Sequence, residues 1–94
     1  MKRAFIIIVK GKVQGVGFRR YTKKKAMQFN VLGWVKNNKD GSVEIHVEGG
    51  EDGVNSFINK LRVGPKSSEI KSVYIEEKSK LEGFKSFRIK KGNN

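Results

Sequence analysis

Apolar and polar positions follow two different periods along this chain, and the changes of period mark its elements. Ala4 to Val9 is a nearly continuous β-branched and aromatic run, the pattern of a central strand. Phe18 to Phe29 reads as a helix, with Phe18, Thr22, Ala26 and Phe29 close to one face. Val31 to Asn38 is a second strand, and Lys39-Asp40-Gly41 supplies turn residues for a hairpin. Ser42 to Glu48 then alternates, with Val43, Ile45 and Val47 on one side and Glu44, His46 and Glu48 on the other. Between Asp52 and Arg62, the positions Val54, Phe57, Ile58 and Leu61 form the stripe of an amphipathic helix packing on a sheet. Val63-Gly64-Pro65 stops it, because proline cannot continue the hydrogen-bond ladder. A fourth strand over Ser68 to Glu77, a loop over Lys78 to Gly83 and a brief strand at Phe87 to Ile89 follow.

The order β-α-β-β-α-β plus a short final strand predicts an α+β fold, a ferredoxin-like α/β sandwich. It would be an antiparallel sheet with two helices on one face. Residues 1–91 are expected to form one domain, with 92–94 a polar C-terminal tail. Cysteine is absent, which excludes disulfide staples and thiolate chemistry and suits a reducing cytoplasm. The N-terminal apolar run is too short for a signal-peptide core or a membrane span, and no small-residue cleavage site follows it. A cytoplasmic protein with no membrane partner is expected.

A formal net charge of +12 changes that picture least where it first attracts attention. Such a balance concentrates anions and often marks nucleic-acid binding. Here the lysines are dispersed, from Lys23–Lys25 through Lys36 and Lys39 to Lys78, Lys80, Lys85, Lys90 and Lys91. Dispersed lysine solvates a surface, or steers a small anionic substrate in a salt-sensitive way.

The segment Gly11-Lys-Val-Gln-Gly-Val-Gly-Phe-Arg-Arg20 carries the chemistry. Glycines there let backbone amides turn toward a ligand, and the helix that opens at Phe18 offers unpaired N–H groups and the positive end of its dipole. Arginine in that first turn adds a planar fork matched to phosphate oxygens. On composition alone the segment is equally a surface turn with a solvated arginine pair. The topology adds a second residue: the first and second strands run parallel, so Asn37, at the end of Gly33-Trp-Val-Lys-Asn, reaches the same sheet edge. Asparagine in a hairpin is often only a turn residue, but here the topology independently places it near Arg19.

Gly11-Lys-Val-Gln-Gly-Val-Gly-Phe-Arg19, followed by Gly33-Trp-Val-Lys-Asn37, resembles the acylphosphatase family. Gly41-Ser-Val43, Glu48-Gly49 and Gly64-Pro65 extend the resemblance, which reaches Phe87-Arg-Ile89. It implies hydrolysis of the carboxyl–phosphate bond of acyl phosphates to a carboxylate and inorganic phosphate. By motif position Arg19 would bind the phosphate and Asn37 would orient the attacking water. Gln14, Gly15, Val16, Gly17 and Phe18, with the amide of Arg19, would form the phosphate cradle. Arg20 is expected to be a surface or supporting charge. The partners implied are a small acyl phosphate and, as product-like ligands, inorganic phosphate or sulfate.

No metal and no cofactor are expected, since no cluster has metal-ligand spacing and no Walker sequence is present. The single histidine, His46, reads as a sheet-face side chain and Trp34 as a packing residue. Two rivals remain. One is an RNA-binding module of the same topology; against it, the third strand Ser42-Val-Glu-Ile-His-Val-Glu48 carries glutamates and no aromatic residue, so no nucleic acid is expected. The other is a regulatory domain that binds an anion without turnover.

Overall fold

The computed structural model describes residues 1–92; Asn93 and Asn94 of the expected tail lie outside the described residues. The elements are β1 (Lys2–Lys12), α1 (Phe18–Gln28), β2 (Leu32–Asn37), β3 (Val43–Gly50), α2 (Glu51–Val63), β4 (Glu69–Lys78) and β5 (Phe87–Ile89). They build one sheet in the order β4-β1-β3-β2-β5, with the helices on one face. β1 and β2 each pair antiparallel with β3, so both point toward the same edge. That shared direction delivers the ends of β1 and β2 to one place.

The alternation of side chains decides which face is covered. Phe5, Ile7 and Val9 of β1 and Val43, Ile45 and Val47 of β3 join Phe18, Ala26, Phe57 and Leu61 of the helices in one buried core. Truncating a buried aromatic such as Phe57, which is fully buried, to alanine costs about 3–5 kcal/mol. α1 ends one residue before the sequence pattern does. Phe29 is its C-cap, and Asn30 follows at a φ of 56°, where the chain turns back into β2.

Two features go beyond the sequence pattern. β5 joins the sheet parallel to β2, through Gly33↔Phe87, Trp34↔Arg88 and Val35↔Ile89, so the five-stranded sheet is mixed and only its four long strands are wholly antiparallel to their neighbours among themselves. Phe87 anchors the addition, edge-on to Phe57 with centroids 5.8 Å apart. Glu48, on the polar side of β3's alternation, is nevertheless buried. Its carboxylate accepts the backbone N–H groups of Glu82, Gly83 (3.0 Å) and Phe84 (3.3 Å). A carboxylate can be buried when several amides replace its water. Glu48 thereby holds the incoming β4–β5 connection in place.

Candidate active site

β1 continues past the apolar run, and its register with β4 shifts between Lys10 and Gly11. Gly11 belongs to this irregularity in the strand, where a side chain would collide with the Glu69 carbonyl. The turn itself depends on Gly15 and Gly17, at φ 73° and 81°. A Cβ at either would meet nothing within 4 Å, so glycine is required by backbone conformation rather than by space. The open side of this loop faces a concavity of about 400 Å³ lined by Gly15, Gly17, Phe18, Arg19, Arg20 and Asn37, with Val13 and Ile89 as apolar walls.

Gly17 is the N-cap of α1 and offers no side chain to cap it; the first turn contains no acidic residue. The first helical bond runs from the Tyr21 N–H to the Gly17 carbonyl at 3.0 Å. Among the described residues, no side chain or neighbouring carbonyl accepts from the amides of Phe18, Arg19 and Arg20. Arg19 is half-buried and Arg20 exposed, and among the described residues neither is paired with a carboxylate. Two cations on the positive end of a helix dipole raise the energy of the free protein. An anion seated there would relieve both the unpaired amides and the arginines.

Asn37 is the last residue of β2, opposite Val43, and only 5% exposed. Its Oδ1 is buried without a hydrogen-bond partner. A buried polar atom left unpaired is costly, and such atoms concentrate where a site needs unused hydrogen-bonding capacity. The neighbouring hairpin is tightly braced by contrast. Asp40 accepts from the Ser42 N–H (2.9 Å) and hydroxyl (2.6 Å), and these bonds hold its carboxyl below the ordinary range. Asn38 Nδ2 donates to Ser42 Oγ at 3.1 Å.

The structure divides the expected cradle. Gly15, Gly17, Phe18, Arg19 and Asn37 line one concavity; Gln14 and Val16 do not line it. Gln14 Nε2 instead donates to the carbonyls of Asn38 (2.8 Å) and Ser42 (2.9 Å), tying the glycine loop to the β2–β3 hairpin beside Asn37. Val16 packs against the core. Residues that the motif did not single out are Val13, Ile89 and, as a lining charge, Arg20. Ile89 had no sequence signal beyond its membership of a brief apolar strand.

His46 stacks on Trp34, with centroids 4.0 Å apart and planes at 18°, and its Nε2 lies 2.9 Å from Glu44 Oε2. Burial pushes the Glu44 carboxyl up, but the contacts with His46, Asn38 and Lys36 outweigh it and leave the group below its ordinary value. Among the described residues no group of three or more His, Asp or Glu side chains is placed to hold a metal ion. None of the described helices is long and apolar enough to cross a membrane.

Known proteins match this arrangement closely. The family model for acylphosphatase matches residues 5–89. The acylphosphatase of Geotalea uraniireducens is 46% identical over 89 residues, covering 95% of this chain and 98% of its own. That of Bacillus licheniformis is 42% identical over 83 residues, 88% of this chain and 92% of its own. The crystal structure of acylphosphatase from Bacillus subtilis superposes with a TM-score of 0.90 at 40% identity, covering 95% of this chain and 98% of that one. Fold, glycine loop and sheet-edge asparagine therefore come with sequence similarity over nearly the whole length, and the chain belongs to the acylphosphatase family of hydrolases.

Proposed function

We propose that this chain hydrolyses acyl phosphates by direct attack of water on phosphorus, through Arg19, the α1 amides and Asn37. The observation that carries the reading is that Arg19, the uncapped start of α1 and Asn37, whose buried Oδ1 has no partner, border one concavity. Arg19 and the amides of Gly15, Gly17, Phe18 and Arg19 hold the phosphoryl oxygens. The Asn37 amide orients the water. Oxygen of water bonds to phosphorus, the phosphorus–oxygen bond to the carboxyl group breaks, and the carboxylate departs with the electron pair. The water proton passes to the phosphate product or to solvent.

These residue types suffice for physical reasons. The leaving carboxylate is the base of an acid with a pKa of about 4, so it needs no general acid. Phosphoryl transfer has a loose transition state, and catalysis is chiefly positioning and stabilisation of the equatorial oxygens. A planar guanidinium and converging amides supply that stabilisation without moving. Water attacking such a centre needs alignment more than prior deprotonation, and a neutral amide can provide it. Inorganic phosphate, the product, fits the same cradle, and sulfate would mimic it. Residues 1–91 would act as one catalytic unit in the cytoplasm.

The test is phosphate release from acetyl and benzoyl phosphate by the purified chain in the presence of EDTA. Turnover unaffected by EDTA is expected. Tight phosphate binding without turnover would replace this reading with that of a regulatory anion-binding domain.

A further inference from the structure

The face of the sheet opposite the helices carries a cluster of aromatic and basic side chains. Trp34 stands on β2, with His46 stacked on it, Lys90 Nζ 4.4 Å from its ring centroid and Lys36 Nζ at 5.5 Å. Beside it lies a groove of about 750 Å³, bordered by Trp34, Phe84, Lys85, Arg88, Lys90 and Lys91. The glutamates of β3 would be expected to repel a polyanion from this face, and that expectation depends on their charge facing outward. In the structure only one of the two keeps appreciable exposure, Glu44, whose side chain is 24% exposed. Glu48 is buried under the amides of Glu82, Gly83 and Phe84, and Glu44 is engaged with His46. Glu82, the remaining acid at the groove, lies 3.4 Å from Lys78 Nζ and 4.0 Å from His46 Nδ1. Among the described residues Lys36, Lys85, Arg88, Lys90 and Lys91 have no carboxylate within ion-pair distance.

We propose that this groove binds a short single-stranded oligonucleotide, with a base stacked at Trp34 and the backbone phosphates on Lys85, Arg88, Lys90 and Lys91. The pairing of an aromatic plane with a row of unpaired cations is what single strands require, because any base stacks and each phosphate needs a positive neighbour. Arg88 lies on the edge strand β5, with Lys85 before it and Lys90 and Lys91 after it, and several phosphates in sequence match that spread better than a single phosphate would. The Lys90 ammonium sits at the Trp34 ring and would turn to a phosphate as a base takes its place. This site is independent of the proposed hydrolysis. It shares only Ile89 with the concavity at Arg19.

Trp34 is the only tryptophan, so its fluorescence reports directly on the site. The experiment titrates fluorescein-labelled ten-nucleotide oligouridylate and follows anisotropy, and repeats the titration with unlabelled oligonucleotide to follow Trp34 emission. Binding with a dissociation constant of about 10⁻⁶ M or tighter at low salt is expected, with quenching of Trp34 and steep weakening as salt rises. Arg88→Glu with Lys90→Glu should weaken it about tenfold or more and flatten the salt dependence. Circular dichroism and thermal melting of that variant establish that it is folded, so that lost affinity reports the missing cations. Three results overturn the proposal: anisotropy that rises with no change in Trp34 emission, uridine monophosphate binding as tightly as the oligomer, or affinity lost in Arg19→Ala but kept in the Arg88→Glu, Lys90→Glu variant. The last would place the phosphates at the catalytic cradle instead.

Discussion

The two helices of this protein begin alike and are treated differently. Each starts after a glycine that provides no side-chain cap, and each start lies beside a concavity. The one near α2 is the larger, about 670 Å³ against about 400 Å³. At α2 the first turn carries Glu51 and Asp52, and the Glu51 amide donates to the Met1 carbonyl at 3.1 Å. Arg3 there is balanced by Glu77 at 2.7 Å and Glu51 at 3.7 Å. At α1 the first turn has no acid and two arginines. α2 is complete with its own charges, whereas among the described residues the cations at the start of α1 have no carboxylate to balance them. Unbalanced charge, and not cavity size, separates the candidate site from its neighbour.

The strongest way to break the contrast is to remove the α1 cation. Arg19→Ala should lower kcat/KM on acetyl phosphate by about 10³-fold or more, the scale on which arginines act in phosphoryl transfer. It should also abolish the rise in melting temperature that inorganic phosphate gives the unaltered protein. Without phosphate the variant should melt no lower, since the substitution relieves repulsion at the helix start. Asn37→Ala comes next. A loss of about 10²-fold or more in kcat is expected, with phosphate-induced stabilisation largely kept, because the amide acts on water rather than on the anion. Near-normal hydrolysis by this variant would remove Asn37 from the mechanism.

A finer test makes α1 resemble α2. Arg20→Glu places a carboxylate in the first turn, where it competes with substrate for the same amides and field. KM for acetyl phosphate should rise about tenfold, with a smaller change in kcat, and the effect should shrink at high salt. An unchanged KM would mean that Arg20 lines the concavity without influencing what enters it.

How much of this was legible in the sequence depends on what fixes each residue. Arg19 and Asn37 could be brought together because their positions follow from strand direction: β1 and β2 are parallel whatever the side chains do. The role of Gln14 could not be read that way. A loop side chain points where tertiary neighbours allow, and only the folded hairpin shows it donating to Asn38 and Ser42. Glu48 misled for a related reason. Its alternation with Val47 is correct, yet its burial depends on amides arriving from residues 82–84, far away in the chain. β5 is three residues long, too short for periodicity to reveal that it would add parallel to β2 and bring Ile89 to the site.

The smallest effects belong to α2. Glu51→Gln with Asp52→Asn should cost about 0.3–1 kcal/mol for each charge removed from the first turn. In a domain of this size that corresponds to a fall in melting temperature of about 4–8 °C per kcal/mol, with acyl phosphate hydrolysis unchanged. The surrounding ion pairs add a dependence on pH whose sign is fixed. The hydrogen bond from Arg3, which also attracts it by charge, holds the Glu77 carboxyl below its ordinary value. A depressed folded value means the contribution is fully present above the unfolded pKa of about 4.3 and disappears as pH falls through the folded one. Melting temperature should therefore decline through that acid window, and Glu77→Gln should decline less steeply there while matching the unaltered protein more closely at its low end. Both side chains are exposed, so the difference will be small. An identical slope in the two proteins would show that Arg3 and Glu77 meet without coupling to folding, leaving the carboxylates of the first turn as the charges that complete α2.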